Sequence, residues 1–174
     1  MIWFANDYFT PVGVSLFLLA FWFWAKDPAQ RALNHRTFVI TAISIGAASG
    51  FLLVANHLWR HPHPFVDMPE LLETVYLIYY PIHDPPFPSN TSAVSFAVAT
   101  AVWLSHRKLG YILLIPATLW PFAKLYAAVY YPSDFLGGAV LGILSALFIA
   151  YFFVPLFDPI INRVFVVLRR LVLA

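Results

Sequence analysis

Long apolar runs separated by short polar segments constrain this chain more than any other feature. Of its 174 residues, 61% are hydrophobic and only 10% are charged. A water-soluble domain of this size cannot bury that much apolar surface. The runs therefore predict an integral membrane protein built from helices.

Five of the runs are long enough, or nearly long enough, to cross a bilayer. A helical span needs about 20 apolar residues, because each residue rises about 1.5 Å along the helix. The expected spans are residues 8–25, 37–59, 91–104, 110–129 and 134–156. The sequence thus predicts one all-α membrane domain, 1–174, with about five transmembrane helices in a bundle.

The polar segments between the runs complete the expected architecture. Prolines exclude one continuous helix over 60–90, so this segment is expected to be an outer loop, and its length favours a functional role. Residues 158–173 carry three arginines among apolar residues and predict an interfacial amphipathic helix. Residues 26–36 are expected to form a polar loop that leaves His35 in solvent.

Lysine and arginine residues predict the orientation of the bundle. With five spans, the basic loops at 26–36 and 105–109 and the basic C-terminal segment all fall on one side, which is expected to be cytoplasmic. The segment 60–90 and the turn at 131–133 then lie on the outer side. No cleavable signal is expected, because the first apolar run lacks a basic flank before it and a small-residue cleavage site after it.

Residues 123–138 read A-K-L-Y-A-A-V-Y-Y-P-S-D-F-L-G-G and place two charges in apolar surroundings. In one interpretation Lys124 snorkels to the membrane surface and Asp134 caps the helix that begins near Ser133. In the other, the two charges belong to an anion site at the mouth of the bundle. These residues alone leave both interpretations open.

Three blocks of the sequence resemble the motif blocks of the type 2 phosphatidic acid phosphatase family. They are H-P-H-P-F at 61–65, F-P-S-N-T-S-A-V-S-F-A at 87–97, and the stretch 123–138. They are most similar to the bacterial undecaprenyl-pyrophosphate phosphatase branch, and their order, spacing and placement on helices agree with it. The resemblance implies a multi-pass protein of the bacterial cytoplasmic (inner) membrane with its site residues at the outer face.

The residues that perform the family's chemistry differ in this chain. The family blocks read K-x6-R-P, P-S-x-H and S-R-x5-H-x3-D; the last histidine attacks phosphorus, the aspartate orients it, and the middle histidine protonates the leaving oxygen. Here Tyr130 and Thr91 stand at the two histidine positions, while Asp134 is retained. A phenol without an evident base is a poor nucleophile at neutral pH, and a threonine hydroxyl cannot supply the proton. No catalytic residue is therefore expected, which favours a pseudoenzyme over an enzyme.

The positions that hold phosphate oxygens in the family are better preserved. Lys124 stands at the arginine of the last block, His61 at the arginine of the first block, and Ser89 is retained with Asn90 beside it. The resemblance implies that these four residues bind phosphate. The resulting hypothesis is a catalytically inactive protein that binds an isoprenoid or phospholipid phosphate, such as undecaprenyl pyrophosphate, or serves as an accessory subunit of a membrane complex.

Two alternatives stay open at this point. One is an active lipid phosphatase with substituted catalytic residues. The other is a metal-binding membrane subunit that uses His57, His61, His63 and His83, although their spacing matches no compact metal signature.

The remaining composition limits cofactors and partners. We expect no metal or other cofactor. The expected partners are the lipid bilayer, a lipid phosphate or pyrophosphate head group, and other membrane subunits. A net charge of +2 gives no reason to expect nucleic acid, and the absence of cysteine excludes disulfide and thiolate chemistry.

Overall fold

The computed structural model describes residues 9–25, 27–59, 61–71, 85–157 and 159. Within them the chain is helical and contains no strand, so the expected all-α membrane fold is confirmed. In chain order the helices are α1 (Phe9–Phe23), α2 (Pro28–Leu58), the short α3 (Pro64–Asp67), α4 (Asn90–Ser105), α5 (Arg107–Tyr126) and α6 (Pro132–Phe148). A 3₁₀ turn at Pro69–Leu71 follows α3, and the π-helical segment Ile149–Phe153 extends α6.

Helix α4 is the centre of the bundle and packs against α2, α5 and α6. On one of its faces Ala93, Ala97 and Ala101 are completely buried. Helix α6 meets α4 with Gly138 and Gly142, where an added β-carbon would collide with the carbonyls of Ser89 and Ala93. Small residues let the two backbones approach closely. This contact brings the beginning of α4 beside the beginning of α6.

Among the described residues, three helices are long and apolar enough to cross a membrane: Pro28–Leu58, Arg107–Tyr126 and Pro132–Phe157. A shorter apolar helix covers Pro11–Phe23, and α4 has 16 residues. The expected number of five spans and their orientation stay predictions.

The prediction of a polar loop over 26–36 is wrong for most of that segment, because α2 begins at Pro28. Asp27 caps this helix, with its carboxylate accepting the N–H of Gln30 at 3.1 Å. Proline at the first helical position fits this start as well, because its missing N–H would have no partner there. The capping signal Asp27-Pro28 was present in the sequence, but the polar composition of the segment outweighed it.

His35 is buried rather than solvated, which is a second correction. It is 2% exposed, its ring stacks on Trp22 with centroids 3.8 Å apart, and its Nε2 lies 3.2 Å from the Trp22 carbonyl. The neighbouring Asn34 donates to the Phe21 carbonyl at 3.0 Å. The carbonyls of the last turn of α1 have no partner within their own helix. Side chains from α2 satisfy them, and this buries His35.

Other boundaries differ less from expectation. Only His106 separates α4 from α5, so α5 begins at Arg107 instead of residue 110, and it ends at Tyr126 instead of residue 129. The expected outer loop contains α3 and the 3₁₀ turn. Residues 72–84 of that loop, and the expected interfacial helix at 158–173 apart from Pro159, lie outside the described residues.

Candidate functional site

The turn between α5 and α6 sets the geometry of the site. The N–H of Val129 donates to the Lys124 carbonyl and the N–H of Ala128 to the Leu125 carbonyl, each at 3.0 Å. This pattern is a Schellman motif, and Ala128 holds the left-handed position with φ 57°. The motif ends α5 abruptly, and the chain crosses to α6 with Tyr130 buried in the turn.

Asp134 lies where parts of all three motif blocks meet. It is fully buried, and its Oδ2 accepts the N–H of Tyr131 at 2.8 Å, which caps α6 as one of the two interpretations expected. Its Oδ1 lies 3.0 Å from Nε2 of His61, in the first block. Its backbone carbonyl accepts the N–H of Ser89, in the second block, at 3.0 Å. Asp134 thus joins the beginnings of α4 and α6 to the segment before α3.

His61 faces an acceptor at each ring nitrogen. Nε2 faces the Asp134 carboxylate, and Nδ1 lies 2.9 Å from the Pro62 carbonyl. A ring nitrogen that donates to its acceptor has no free lone pair with which to attack phosphorus. The side chain is 29% exposed, so it lies at the margin of the site rather than in its core.

Lys124 is a buried cation flanked by aromatic rings. The residue is 2% exposed, and its Nζ lies 5.6 Å from the ring centroid of Trp120 and 5.8 Å from that of Tyr130. The ring centroid of His63 lies 6.1 Å from that of Tyr130, and the Nδ1 of His63 lies 2.8 Å from the Val129 carbonyl. Aromatic faces favour a nearby ammonium group electrostatically.

A second tyrosine, Tyr131, ties α3 to the beginning of α6. Its hydroxyl donates to Oδ2 of Asp67 at 2.7 Å. This hydrogen bond raises the pKa of Tyr131, and burial and the charges of Asp67 and Asp134 act in the same direction. Tyr131 therefore stays a protonated phenol at neutral pH, so it is a donor here and not a nucleophile.

The predicted site residues occupy two neighbouring groups. His61, the backbone of Ser89 and Asp134 form one, and Lys124 and Tyr130 form the other, joined to the first by the adjacent Tyr131. The hydroxyl oxygen of Ser89 accepts the N–H of Ser92 at 3.4 Å and so caps α4.

Two further predicted residues lie in the first turn of α4. Asn90 is exposed. Thr91 is 5% exposed, and its carbonyl accepts the Ser95 hydroxyl at 2.6 Å. The roles of all these residues in binding or catalysis stay predictions.

The alternative metal site is not assembled by the residues that the structure describes. No group of three or more histidine, cysteine, aspartate or glutamate side chains in those ranges could hold a metal ion. His57 is exposed, while His61 and His63 have the separate partners given above. His83 lies outside the described residues.

Sequence reasoning missed two features of this site. The motif H-P-H-P-F contains His63, but nothing in it indicated that this residue would bond to the turn after α5. Trp120 lies outside the three blocks, and only its position one helical turn before Lys124 could have drawn attention to it.

An apolar groove of about 580 Å³ runs between α2 and α6. Phe51 of α2 lines one side of it. The lining residues on α6 are Leu136, Gly137, Val140, Leu144 and Phe148. Its polar exception, Ser145, donates its hydroxyl to the Leu141 carbonyl. The groove thus offers hydrocarbon surface along α6.

The three motif blocks meet at the beginnings of α4 and α6, and comparison with known families places the chain in a phosphatase-like class of membrane proteins. The family model described as "PAP2 superfamily" matches residues 37–158, and the chain belongs to this superfamily. The sequence resemblance to type 2 phosphatidic acid phosphatases and their bacterial undecaprenyl-diphosphatase branch is confirmed. No solved structure matches the chain.

Three curated relatives are similar over most of the chain. The bacitracin transport permease protein BcrC of Bacillus licheniformis is 29% identical over 143 residues, which are 82% of this chain and 64% of that protein. The putative undecaprenyl-diphosphatase YbjG of Escherichia coli is 29% identical over 84% of this chain and 68% of its own length. The undecaprenyl-diphosphatase BcrC of Bacillus subtilis is 28% identical over 153 residues, which are 88% of this chain and 74% of that protein. The chain therefore spans about two thirds of the length of these relatives.

Proposed function

We propose that this protein binds an isoprenoid or phospholipid phosphate at the site around Asp134 and Lys124 and does not hydrolyse it by the family mechanism. The observation that carries the proposal is the 3.0 Å contact between His61 and Asp134. By resemblance, this carboxylate would orient an attacking histidine at position 130. Here it holds a ring from the first block whose two nitrogens both face acceptors.

The groups at the two catalytic positions support the absence of turnover. Tyr130 carries a phenol, which is a weaker nucleophile than an imidazole at neutral pH, and its ring centroid lies 5.8 Å from the Nζ of Lys124. Thr91 carries an alcohol, which is far too weak an acid to protonate a leaving phosphate or alkoxide. Covalent phosphoryl transfer needs both an activated nucleophile and a proton donor, so their joint loss removes many orders of magnitude of rate.

The surroundings of the site support binding of a lipid phosphate. Lys124 supplies a buried positive charge at the phosphate position of the last block, and a buried ammonium is stabilised by oxygen anions. Ser89 begins α4, whose N-terminus carries a partial positive charge. The apolar groove along α6 suits a hydrocarbon tail attached to such a head group. Two of the similar proteins are named as undecaprenyl-diphosphatases, which makes undecaprenyl phosphates the first ligands to test.

Binding to the full chain in lipid nanodiscs tests the proposal. Undecaprenyl phosphate and undecaprenyl diphosphate are titrated against the wild type, Lys124→Gln and the control Lys108→Gln, whose lysine is exposed beyond the opposite end of α4. We expect saturable binding by the wild type and the control, and binding at least about tenfold weaker by Lys124→Gln, since a charge-assisted hydrogen bond contributes about 1.5–3 kcal/mol. A wild type without saturable binding, or a Lys124→Gln variant that binds equally well, would overturn the proposal.

A second candidate function is hydrolysis through His61, because its pairing with Asp134 keeps a histidine–aspartate couple in the site. For this, Nδ1 must leave the Pro62 carbonyl, pass any proton it carries to water and attack phosphorus. The P–O bond to the lipid breaks as the N–P bond forms, and the lipid oxygen takes its proton from water. Water then cleaves the N–P bond. Rapid quenching with radiolabelled substrate would trap acid-labile phosphohistidine in the wild type and none in His61→Gln. Equal labelling of both proteins, or of neither, excludes this route.

We further propose a location in the bacterial cytoplasmic membrane with the site facing outward, and we retain the accessory-subunit role as a form of the same function. Purification from membranes in mild detergent tests the latter. A stoichiometric membrane partner is expected for a subunit, while a monodisperse chain without partners contradicts it.

A further inference from the structure

Trp120 contains a buried hydrogen-bond donor without an acceptor. The residue lies in α5 and is 8% exposed. Its Nε1 is shielded from solvent and has no hydrogen-bond partner in the part of the chain that the structure describes. Buried indole N–H groups usually have one, so this donor calls for an explanation.

The indole ring that carries this unsatisfied donor lies beside the buried Lys124 of the site. Lys124 follows Trp120 by one helical turn, and its Nζ lies 5.6 Å from the indole ring centroid. An indole nitrogen only donates, so the missing partner must be an acceptor. An oxygen anion would suit both the N–H group and the ammonium group. A phosphate carries several oxygens, and N–H···O bonds are about 2.9 Å long, so one phosphate can reach both donors.

A second donor at this place also compensates for a substitution. The resemblance places an arginine at position 124, and a guanidinium offers parallel donors that grip two phosphate oxygens at once. Lysine is a compact point charge without that directional fork. The indole ring of the preceding turn, whose centroid lies 5.6 Å from the Lys124 Nζ, carries a second, directional donor.

We propose that the Trp120 N–H donates a hydrogen bond to a phosphate oxygen of the head group that Lys124 binds. Lys124 and Trp120 together then replace the two-donor grip of one arginine. The inference rests on the proposed function and names a binding residue outside the three motif blocks.

Removing the N–H group while keeping an aromatic ring tests the inference. The variant Trp120→Phe is compared with the control Trp103→Phe. Trp103 is a matched control because its ring also contacts a cationic side chain four residues later in the sequence: the Arg107 guanidinium lies 4.3 Å from its ring centroid. Full-length proteins in nanodiscs are titrated with undecaprenyl phosphate and, separately, with inorganic pyrophosphate. We expect Trp120→Phe to raise Kd for undecaprenyl phosphate about tenfold and Trp103→Phe to leave it unchanged. Weakening in both titrations assigns recognition to the phosphate alone, while weakening only with the lipid shows that the tail is needed to seat it.

A direct readout separates hydrogen bonding from packing. In protein labelled with ¹⁵N at the indole nitrogens, the Trp120 N–H signal should move downfield when undecaprenyl phosphate binds. If Trp120→Phe does not fold, benzothienylalanine at position 120 keeps the ring shape and lacks the N–H group, and it should weaken binding equally.

The outcomes distinguish the two proposals. A wild type that binds no ligand contradicts the proposed function itself. A wild type that binds, together with a variant lacking the Trp120 N–H that binds within about twofold of it, or an indole signal that does not move, overturns the role of Trp120 alone.

Discussion

Asp134 combines two structural tasks in one buried carboxylate. One oxygen caps α6 through the N–H of Tyr131, and the other bonds to His61 from the segment before α3. A buried carboxylate is tolerated when its oxygens are satisfied in this way. The residue that the family uses to orient a nucleophile therefore serves here to hold three segments of the chain together.

Asp134→Asn should test this structural role. The amide oxygen can still accept from Tyr131, but an amide NH₂ group then replaces the carboxylate oxygen that faces the Nε2 of His61. We expect the free energy of unfolding to fall by about 1–3 kcal/mol, measured by denaturant titration in detergent micelles. The matched control is Asp67→Asn, because Asp67 is exposed and its amide oxygen could still accept from Tyr131. Equal losses in the two variants would argue against a special role for Asp134.

His106 should make stability depend on pH. Its ring packs edge-on against Phe21, with centroids 5.0 Å apart, and its Nε2 is buried without a partner among the described residues. Burial lowers the pKa of His106, so folding favours the neutral ring. The contribution of the buried neutral ring to folding stability is fully present above the pKa of His106 in the unfolded chain, about 6.5. It is lost as the pH falls from there through the lower pKa of the folded state.

The measurement is the difference in Tm between pH 7.5 and pH 5.5 for the wild type and His106→Gln. We expect the wild type to lose more Tm on acidification than the variant, because glutamine does not titrate. An identical loss in both proteins would show that burial of His106 does not contribute.

At the scale of helices, the close contact of α4 with α6 positions the site. Ser89 and Asp134 bond through their backbones because glycine at 138 lets α6 approach the first turn of α4. A wider separation would pull apart the second and third motif blocks.

Gly138→Ala should therefore destabilise the fold, since the new methyl group would meet the Ser89 carbonyl and the Ser92 side chain. Gly46→Ala is the control, because an added β-carbon there has no neighbour within 4 Å. We expect a loss of about 1–3 kcal/mol for Gly138→Ala and no loss for Gly46→Ala, which gains helix propensity. The free energy of unfolding is measured for both variants from denaturant titrations in detergent. Equal changes in Gly138→Ala and Gly46→Ala would contradict the close packing of α4 against α6.

Sequence patterns predicted the helices of this bundle better than the contacts between them. Asp134, Lys124 and Ser89 could be located from motif spacing, because spacing along a helix is a local property. The pairing of His61 with Asp134 spans 73 positions and depends on how α4, α6 and the segment before α3 pack. The burial of His35 was missed for the same reason, since its partner is the end of another helix.

At the scale of the whole molecule, the orientation in the membrane is a prediction of the basic residues. The chain has no cysteine, so single cysteines introduced at the exposed positions Ser133 and Lys108 report on opposite ends of the bundle. A membrane-impermeant maleimide added to intact cells should label position 133 and not position 108. Labelling of position 108 alone would show that the protein has the opposite orientation in the membrane.

If the site binds a lipid phosphate without cleaving it, undecaprenyl diphosphate should stay intact in the presence of this protein. Phosphate release is measured with the wild-type protein in nanodiscs beside the Bacillus subtilis undecaprenyl-diphosphatase BcrC. We expect no release above protein-free nanodiscs for the wild type, and gained release for the variant that combines Tyr130→His, Thr91→His and Lys124→Arg. Release by the wild type at a rate comparable to that of the Bacillus subtilis enzyme would contradict this expectation.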